Sequence, residues 1–285
     1  MYSPTLPGRG YVKNSSLREN VRMLLLVALW DLTKLKNQKI FLAMRVTWFT
    51  IQVLVFARVI SHIVSQVVVD YTGGVDYYYF YLIGVYTSLL YSTSISRGYI
   101  IAEEFDDGIV EYHLSLPIKR SVFAVGRVLG CGLSTIMFTL PMMVLVFIVL
   151  GSVSVLTALI SVIAALVFSM GVVSFVLLLV FSIRSTDLTD ILMGAIDAML
   201  IRLSTVFYPL PAIEATGIAP YYVAALMNPI THLSDFLRII VFPEYYLVFR
   251  HGLVPTVVFL LAFSMGLLVI AIEYYEKKLE AGGWK

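Results

Sequence analysis

From Val128 to Ile183 the chain carries no acidic or basic residue. A stretch that long cannot be the inside of a soluble domain, because nothing along it could face water. It suits a hydrocarbon solvent, where a spanning helix needs about 20 apolar residues and satisfies its own backbone polar groups. The whole chain agrees: 60% of its 285 residues are hydrophobic and 13% are charged, with a mean hydropathy of +0.91. A soluble domain carries roughly 25% charged residues. Membrane strands read as alternating segments of about ten residues, whereas the runs here are continuous, so the spanning elements are expected to be helices.

Six spans are expected, over 41–69, 77–101, 123–150, 153–183, 188–208 and 253–274. Residues 1–16 read as a flexible tail, 17–275 as a single transmembrane domain and 276–285 as a second tail. Nothing before Met23 looks like a cleaved leader: Arg9, Lys13, Arg18 and Arg22 precede a short apolar run with no small-residue cleavage site. A net charge of +2 offers no case for nucleic-acid binding. The single cysteine, Cys131, excludes an internal disulfide and a cysteine-built metal site. His62, His113, His232 and His251 have no ligand spacing, so no metal is assigned.

Lysine and arginine positions set the expected orientation. One side has the N-terminal group through Arg45, then Arg97, Lys119, Arg120 and Arg127, then Arg184, then Lys277, Lys278 and Lys285. The other side has Arg238 and Arg250. Both termini are therefore expected in the cytoplasm, with the chain a multi-pass protein of the plasma membrane.

Two stretches are neither spans nor ordinary loops. Met23 to Trp30 is apolar but too short to cross, and charged residues flank it on both sides. That pattern suits an interfacial helix with Trp30 at headgroup depth; the alternative is a ragged extension of the first span. The stretch between Pro209 and Arg250 contains Pro209, Pro211, Pro220, Pro229 and Pro243, which forbid one long helix. It is nevertheless apolar, which points to two short helices dipping into the outer leaflet.

The segment after the second span is the most informative. It reads Glu103-Glu104-Phe105-Asp106-Asp107-Gly108, then Glu111-Tyr112, then Leu116-Pro117, against the basic trend of its side. Ile109, Tyr112 and Leu116 share one helical face. A short, rigid, acidic helix is something another protein could grip; the plain alternative is a solvated loop.

This stretch resembles that of the type-2 permease subunits of ATP-binding-cassette exporters. Those subunits carry acidic residues after the second span, then Gly, then Glu-Tyr or Glu-Leu, then Leu-Pro. The basic pair Lys119-Arg120 and the small-residue run Gly126-Arg127-Val128-Leu129-Gly130 follow as they do in that family. In the later stretch Pro209-Leu210-Pro211 and Asn228-Pro229-Ile230-Thr231-His232, with Asp235 and Arg238 beyond, are similar too. His232 departs from the family's usual aromatic. The resemblance runs from about Leu17 to Tyr275. It implies that residues 103–117 form a coupling helix docking on an ATPase subunit. It also implies an outer gate around Pro209, Pro211, Asn228, Pro229, Asp235 and Arg238, and spans one, two and five moving to open a path. There is no Gly-x-x-x-x-Gly-Lys-Ser/Thr loop in the chain. The resemblance therefore implies a non-catalytic subunit, two partner ATPase chains that hold ATP and Mg, and a second permease copy or relative, with membrane lipids around them. The expected function is export of a drug-like amphiphile, lipid, glycan or small peptide.

Charges inside the spans complete the reading. Arg58 in the first span and Asp197 in the fifth fall at similar depth, with Arg202 further out. A charge at mid-bilayer costs at least about 2.5–3.5 kcal/mol and persists when paired or wetted. Arg58 and Asp197 are expected to face each other or a shared wet cavity, as a transport feature or as a structural ion pair. The tyrosines 77–79, 221–222 and 245–246 read as an interfacial belt or as a stacking surface for a flat substrate. An ion-coupled secondary transporter or an intramembrane enzyme is the alternative function. The first lacks a visible internal repeat, and the second lacks a reactive pair, since Asp187 and Asp190 suit a helix start.

Overall fold

The computed structural model describes residues 17–35, 38–107, 109, 118–151, 153–183, 186–249 and 251–280. Every regular element among them is a helix. In chain order these are α1 (Leu17–Leu35), α2 (Lys39–Ile51), α3 (Ala57–Val68), α4 (Tyr77–Asp106), α5 (Arg120–Leu150), α6 (Val155–Ile183), α7 (Thr186–Arg202), α8 (Leu210–Ala215), α9 (Ala219–Met227), α10 (Pro229–Val241) and α11 (Leu253–Glu280). A π-helical turn, Gln52–Phe56, joins α2 to α3. A 3₁₀ turn, Pro243–Leu247, follows α10.

Among the described residues, four helices are long and apolar enough to cross a membrane: Lys39–Val64, Arg120–Leu150, Val155–Ile183 and Leu253–Lys277. The chain is a multi-pass helical membrane protein. Helix α4, with 30 residues, is about 45 Å long but interleaves Ser, Thr and Tyr with its apolar residues. Helix α7 has 17 residues, about 25 Å, and stops at Arg202 rather than running on to Tyr208. Helix α11 continues through Glu280, past Tyr275.

Helices α4, α5 and α6 pack on one another, with α11 against α6 and α1 against α5. Among the described residues two large apolar cores result, beside a small one of Leu210, Ile213 and Ala225. One joins Val27 of α1 to Ile101, Phe123, Val176, Phe181 and Tyr275 at the α1 end of the bundle. The other joins Phe49, Phe80, Leu90, Met142 and Phe168 to Ile230 and Leu233 toward the opposite end. Helix α1 lies close because Gly126 and Gly130 have no side chains: a Cβ on Gly130 would stand 2.7 Å from Asp31 Oδ2 and 2.9 Å from the Ala28 carbonyl. Its far face leaves Leu25, Leu26 and Leu29 exposed. The α2–α3 helix is as open as α11; Phe41, Met44, Trp48, Leu54, Val55 and Ile63 all lie on its exposed surface.

The proline-rich stretch forms three short helices, not two. Pro211, Pro220 and Pro229 each sit in the first turn of one of them. There the missing N–H costs nothing and the fixed φ favours the helix. The prolines that forbid one long helix thus start three short ones.

Candidate functional site

At the α1 end, three helices meet in a buried ion cluster. Arg127 of α5 donates from Nη1 to Asp31 Oδ1 at 2.6 Å and from Nη2 to Glu104 Oε2 at 2.5 Å. The other oxygen of Glu104 is taken by Lys34. Side-chain exposure is 2% for Arg127 and 5% for Asp31, and 6% for Glu104. Cys131 closes the cluster, 3.4 Å from the Arg97 carbonyl and 3.7 Å from Asp31 Oδ2. Burial raises the Asp31 carboxyl above its ordinary range, and the Arg127 and Lys34 charges oppose that rise. Removing Arg127 would leave Asp31 desolvated without an ion-pair partner and Glu104 with Lys34 alone, so the cluster fixes α1, α4 and α5 together.

The acidic stretch starts on the last turn of α4. Glu103 and Asp107 are exposed, and the Asp107 amide donates to the Glu103 carbonyl at 2.9 Å. Glu104 turns inward to the cluster. Phe105 and Asp106 end α4. Gly108, Glu111, Tyr112, Leu116 and Pro117 lie outside the described residues, as do residues 1–16. Sequence reasoning took Asp31 and Lys34 as charged flanks, and Arg127 as an orienting charge within the small-residue run. The signal for more was there: a single acid, Asp31, directly follows an apolar octet, and an arginine stands between two glycines.

The intramembrane charges are placed separately. Arg58 lies on an exposed face with its guanidinium 4.5 Å from the Tyr78 ring centroid. Asp197 accepts a hydrogen bond from Ser92 at 3.0 Å, and the Arg45 charge acts on it. Arg58 and Asp197 form no ion pair with each other. Ser92 also lines a cavity of about 310 Å³ between α2 and α4, with Arg45, Trp48, Gln52 and Ser88. Arg202 is used locally, donating to the Ala198 carbonyl at 3.3 Å.

At the opposite end, Arg238 of α10 is fully buried. Its Nη1 donates to Asp235 Oδ1 at 2.8 Å, and its Nη2 donates to the carbonyls of Phe80 and Val206, each at 3.2 Å. Its guanidinium lies 3.5 Å from the Phe80 ring centroid. Thr205 and Tyr245 donate to the same Asp235 oxygen at 2.9 and 3.0 Å, and burial, with Asp235 adding to it, pushes the Tyr245 phenol up. Gly84 makes room for this cluster, since a Cβ there would stand 2.1 Å from the Val206 carbonyl oxygen.

Asn228 joins two helix ends. Its Oδ1 accepts from the Ile230 amide at 2.9 Å, capping α10. Its Nδ2 donates to the carbonyls of Leu200 and Leu203 at 2.7 and 3.1 Å, which satisfies the end of α7. Pro209 and Pro211 start α8, and Pro229 starts α10. His232 behaves as the aromatic it replaces: its ring stacks on Phe259 with centroids 3.8 Å apart, and His251 lies 4.4 Å away. Burial first and His251 second bring the His232 imidazole down to about 4.

Among the described residues, the helical membrane bundle thus carries a buried ion cluster at the end of α4 and a second on α10. The chain belongs to the ABC-2 family of transporter proteins, whose family model matches residues 12–272. It is a permease of the ABC transporter type. No curated protein matches it closely enough to add a relative.

Proposed function

We propose that residues 17–275 form one permease domain with six crossings, α4 and α7 included, and cytoplasmic termini, working in the plasma membrane as the non-catalytic half of an ATP-driven exporter. Two copies, or this chain and a relative, would enclose the path, and two cassette ATPase chains holding ATP and Mg would drive it. The carrying observation is Glu104, which belongs to the acidic stretch and is also held by Arg127 and Lys34. Force on the exposed Glu103 and Asp107 therefore passes into α4, α5 and α1 as one unit, with residues 103–117 as the lever.

The open face of α2–α3 supports a second copy beside the path of α2, α4 and α7. Arg58, Asp197 and Arg202 are candidates to line that path. The clusters of Arg238 and Asn228, with Pro209, Pro211, Pro229 and Asp235, are candidates for the outer gate. The test is copurification with a cassette ATPase co-expressed with the chain. Glu103→Lys with Asp107→Lys changes only exposed positions and is expected to abolish binding while the melting temperature holds. Equal capture of wild type and double variant would remove the acidic lever; no capture of wild type would remove the ATP-driven reading.

A further inference from the structure

A second, smaller cavity of about 200 Å³ opens beside the first, between α2, α4 and α5, and Arg45 lines both. Its polar wall is Gln38, Arg45, Thr93, Ser96 and Arg97, with Phe138 behind. Arg97 is 5% exposed. Its guanidinium faces the Phe138 ring at 5.0 Å, and among the described residues neither Arg97 nor Arg45 forms a salt bridge. Gln38 Oε1 and Thr93 Oγ1 are buried in the same wall without a hydrogen-bond partner. Asp31 is bonded by Arg127 and Asp197 by Ser92, and they act on these guanidinium groups only through space, Asp31 on Arg97 and Asp197 on Arg45.

Every other buried ion described above is matched by its neighbours. Among the described residues, this cavity brings together two guanidinium groups without a salt bridge and the unused hydroxyl of Thr93. Arginine forks suit the oxygens of a phosphate, and Thr93 could donate a further bond to one. Beside the cavity, Phe41, Met44 and Trp48 present an exposed apolar strip on α2.

We propose that this cavity holds the phosphate of an anionic amphiphile, with the apolar tail lying along Phe41, Met44 and Trp48. The inference rests on the permease reading for its role as the substrate's headgroup site, and it narrows the substrate to a phosphate-bearing lipid-like molecule.

The test is native mass spectrometry of the full chain in a neutral detergent, titrated separately with phosphatidic acid, chain-matched phosphatidylcholine and inorganic phosphate. Saturable binding of phosphatidic acid is expected, about tenfold tighter than of either other probe, a difference of about 1.4 kcal/mol. Arg45→Gln and Arg97→Gln should each weaken it about tenfold. Ser96→Leu, at an exposed position, should do the same by filling the cavity should Arg97→Gln fail to fold. Lys277→Gln, an exposed charge elsewhere, should leave it unchanged. Equal affinity for inorganic phosphate would overturn the amphiphile, and binding indifferent to all three cavity variants would overturn the site. The measurement needs no ATPase, so a chain that captures its ATPase but ignores phosphatidic acid loses this proposal alone. Headgroup binding by a chain that captures no ATPase would overturn the substrate role.

Discussion

Arg127 and Glu104 meet at 2.5 Å across 23 positions of chain, and the acidic stretch from Phe105 to Pro117 lies wholly between them. Both ends of that excursion are therefore tied at one guanidinium. The same guanidinium holds Asp31, so α1 is part of the tie.

Arg127→Gln should destabilise the protein by about 3–5 kcal/mol, because it strands the buried Asp31 and leaves Glu104 with Lys34 alone. Thermal unfolding in detergent would read this, with the exposed Arg22→Gln as the control. Adding Asp31→Asn and Glu104→Gln to Arg127→Gln should restore part of the loss. Equal melting of the Arg127 and Arg22 variants would mean that the cluster does not hold the helices.

Gly84→Ala should cost about 1–3 kcal/mol by overpacking. The added methyl group would meet backbone at the Val206 carbonyl, which has no rotamer to yield. Gly194 and Gly266 have nothing within 4 Å of a built Cβ, so the same change at either should hold or raise the melting temperature.

Asn228→Ala should cost about 2 kcal/mol, from one lost cap and two carbonyls left without their donor. Asn228→Asp keeps the acceptor for Ile230 and loses the donor for Leu200 and Leu203. It should therefore recover only part of the stability. Full recovery would show that the join to α7 carries no weight.

Acid should weaken the region around α10. His232 titrates near 6.5 when unfolded and at about 4 when folded. Between those values the unfolded chain takes up a proton that the folded chain refuses, so stability is complete above about pH 6.5 and falls as pH drops toward 4. The full loss is about 3 kcal/mol at 1.36 kcal/mol per unit. Melting temperatures measured from about pH 7 to about pH 5 should fall less steeply for His232→Phe, which keeps the stack on Phe259. Parallel slopes would remove His232 as the cause.

The long helices were legible because uncharged runs leave a chain in lipid few options; α5 and α6 stand within a few residues of their expected ends. Where side chains from remote segments decide, local pattern failed. Helix α7 stops at Arg202, and Asn228, 25 to 28 positions later, takes the carbonyls of Leu200 and Leu203 at that end. The prolines were read as breakers, although the same ring that ends one helix opens the next. The acidic stretch was visible as a run of like charge. The cluster behind it was not, since Lys34 and Glu104 are 70 positions apart and Asp31 and Arg127 are 96 apart. Arg58 was matched to Asp197 by depth alone, whereas the ring of Tyr78 and the hydroxyl of Ser92 lie closer to hand.

Gly84 turns a packing detail into a limit on motion. With no side chain between them, α4 and the backbone after α7 touch directly, and Arg238 bridges the carbonyls of Phe80 and Val206 beside that contact. Helix–helix joints built from long side chains can slide, because rotamers absorb the shift. A joint of bare backbone has nothing to absorb it. The two segments are therefore held in fixed register where Gly84 meets the Val206 carbonyl.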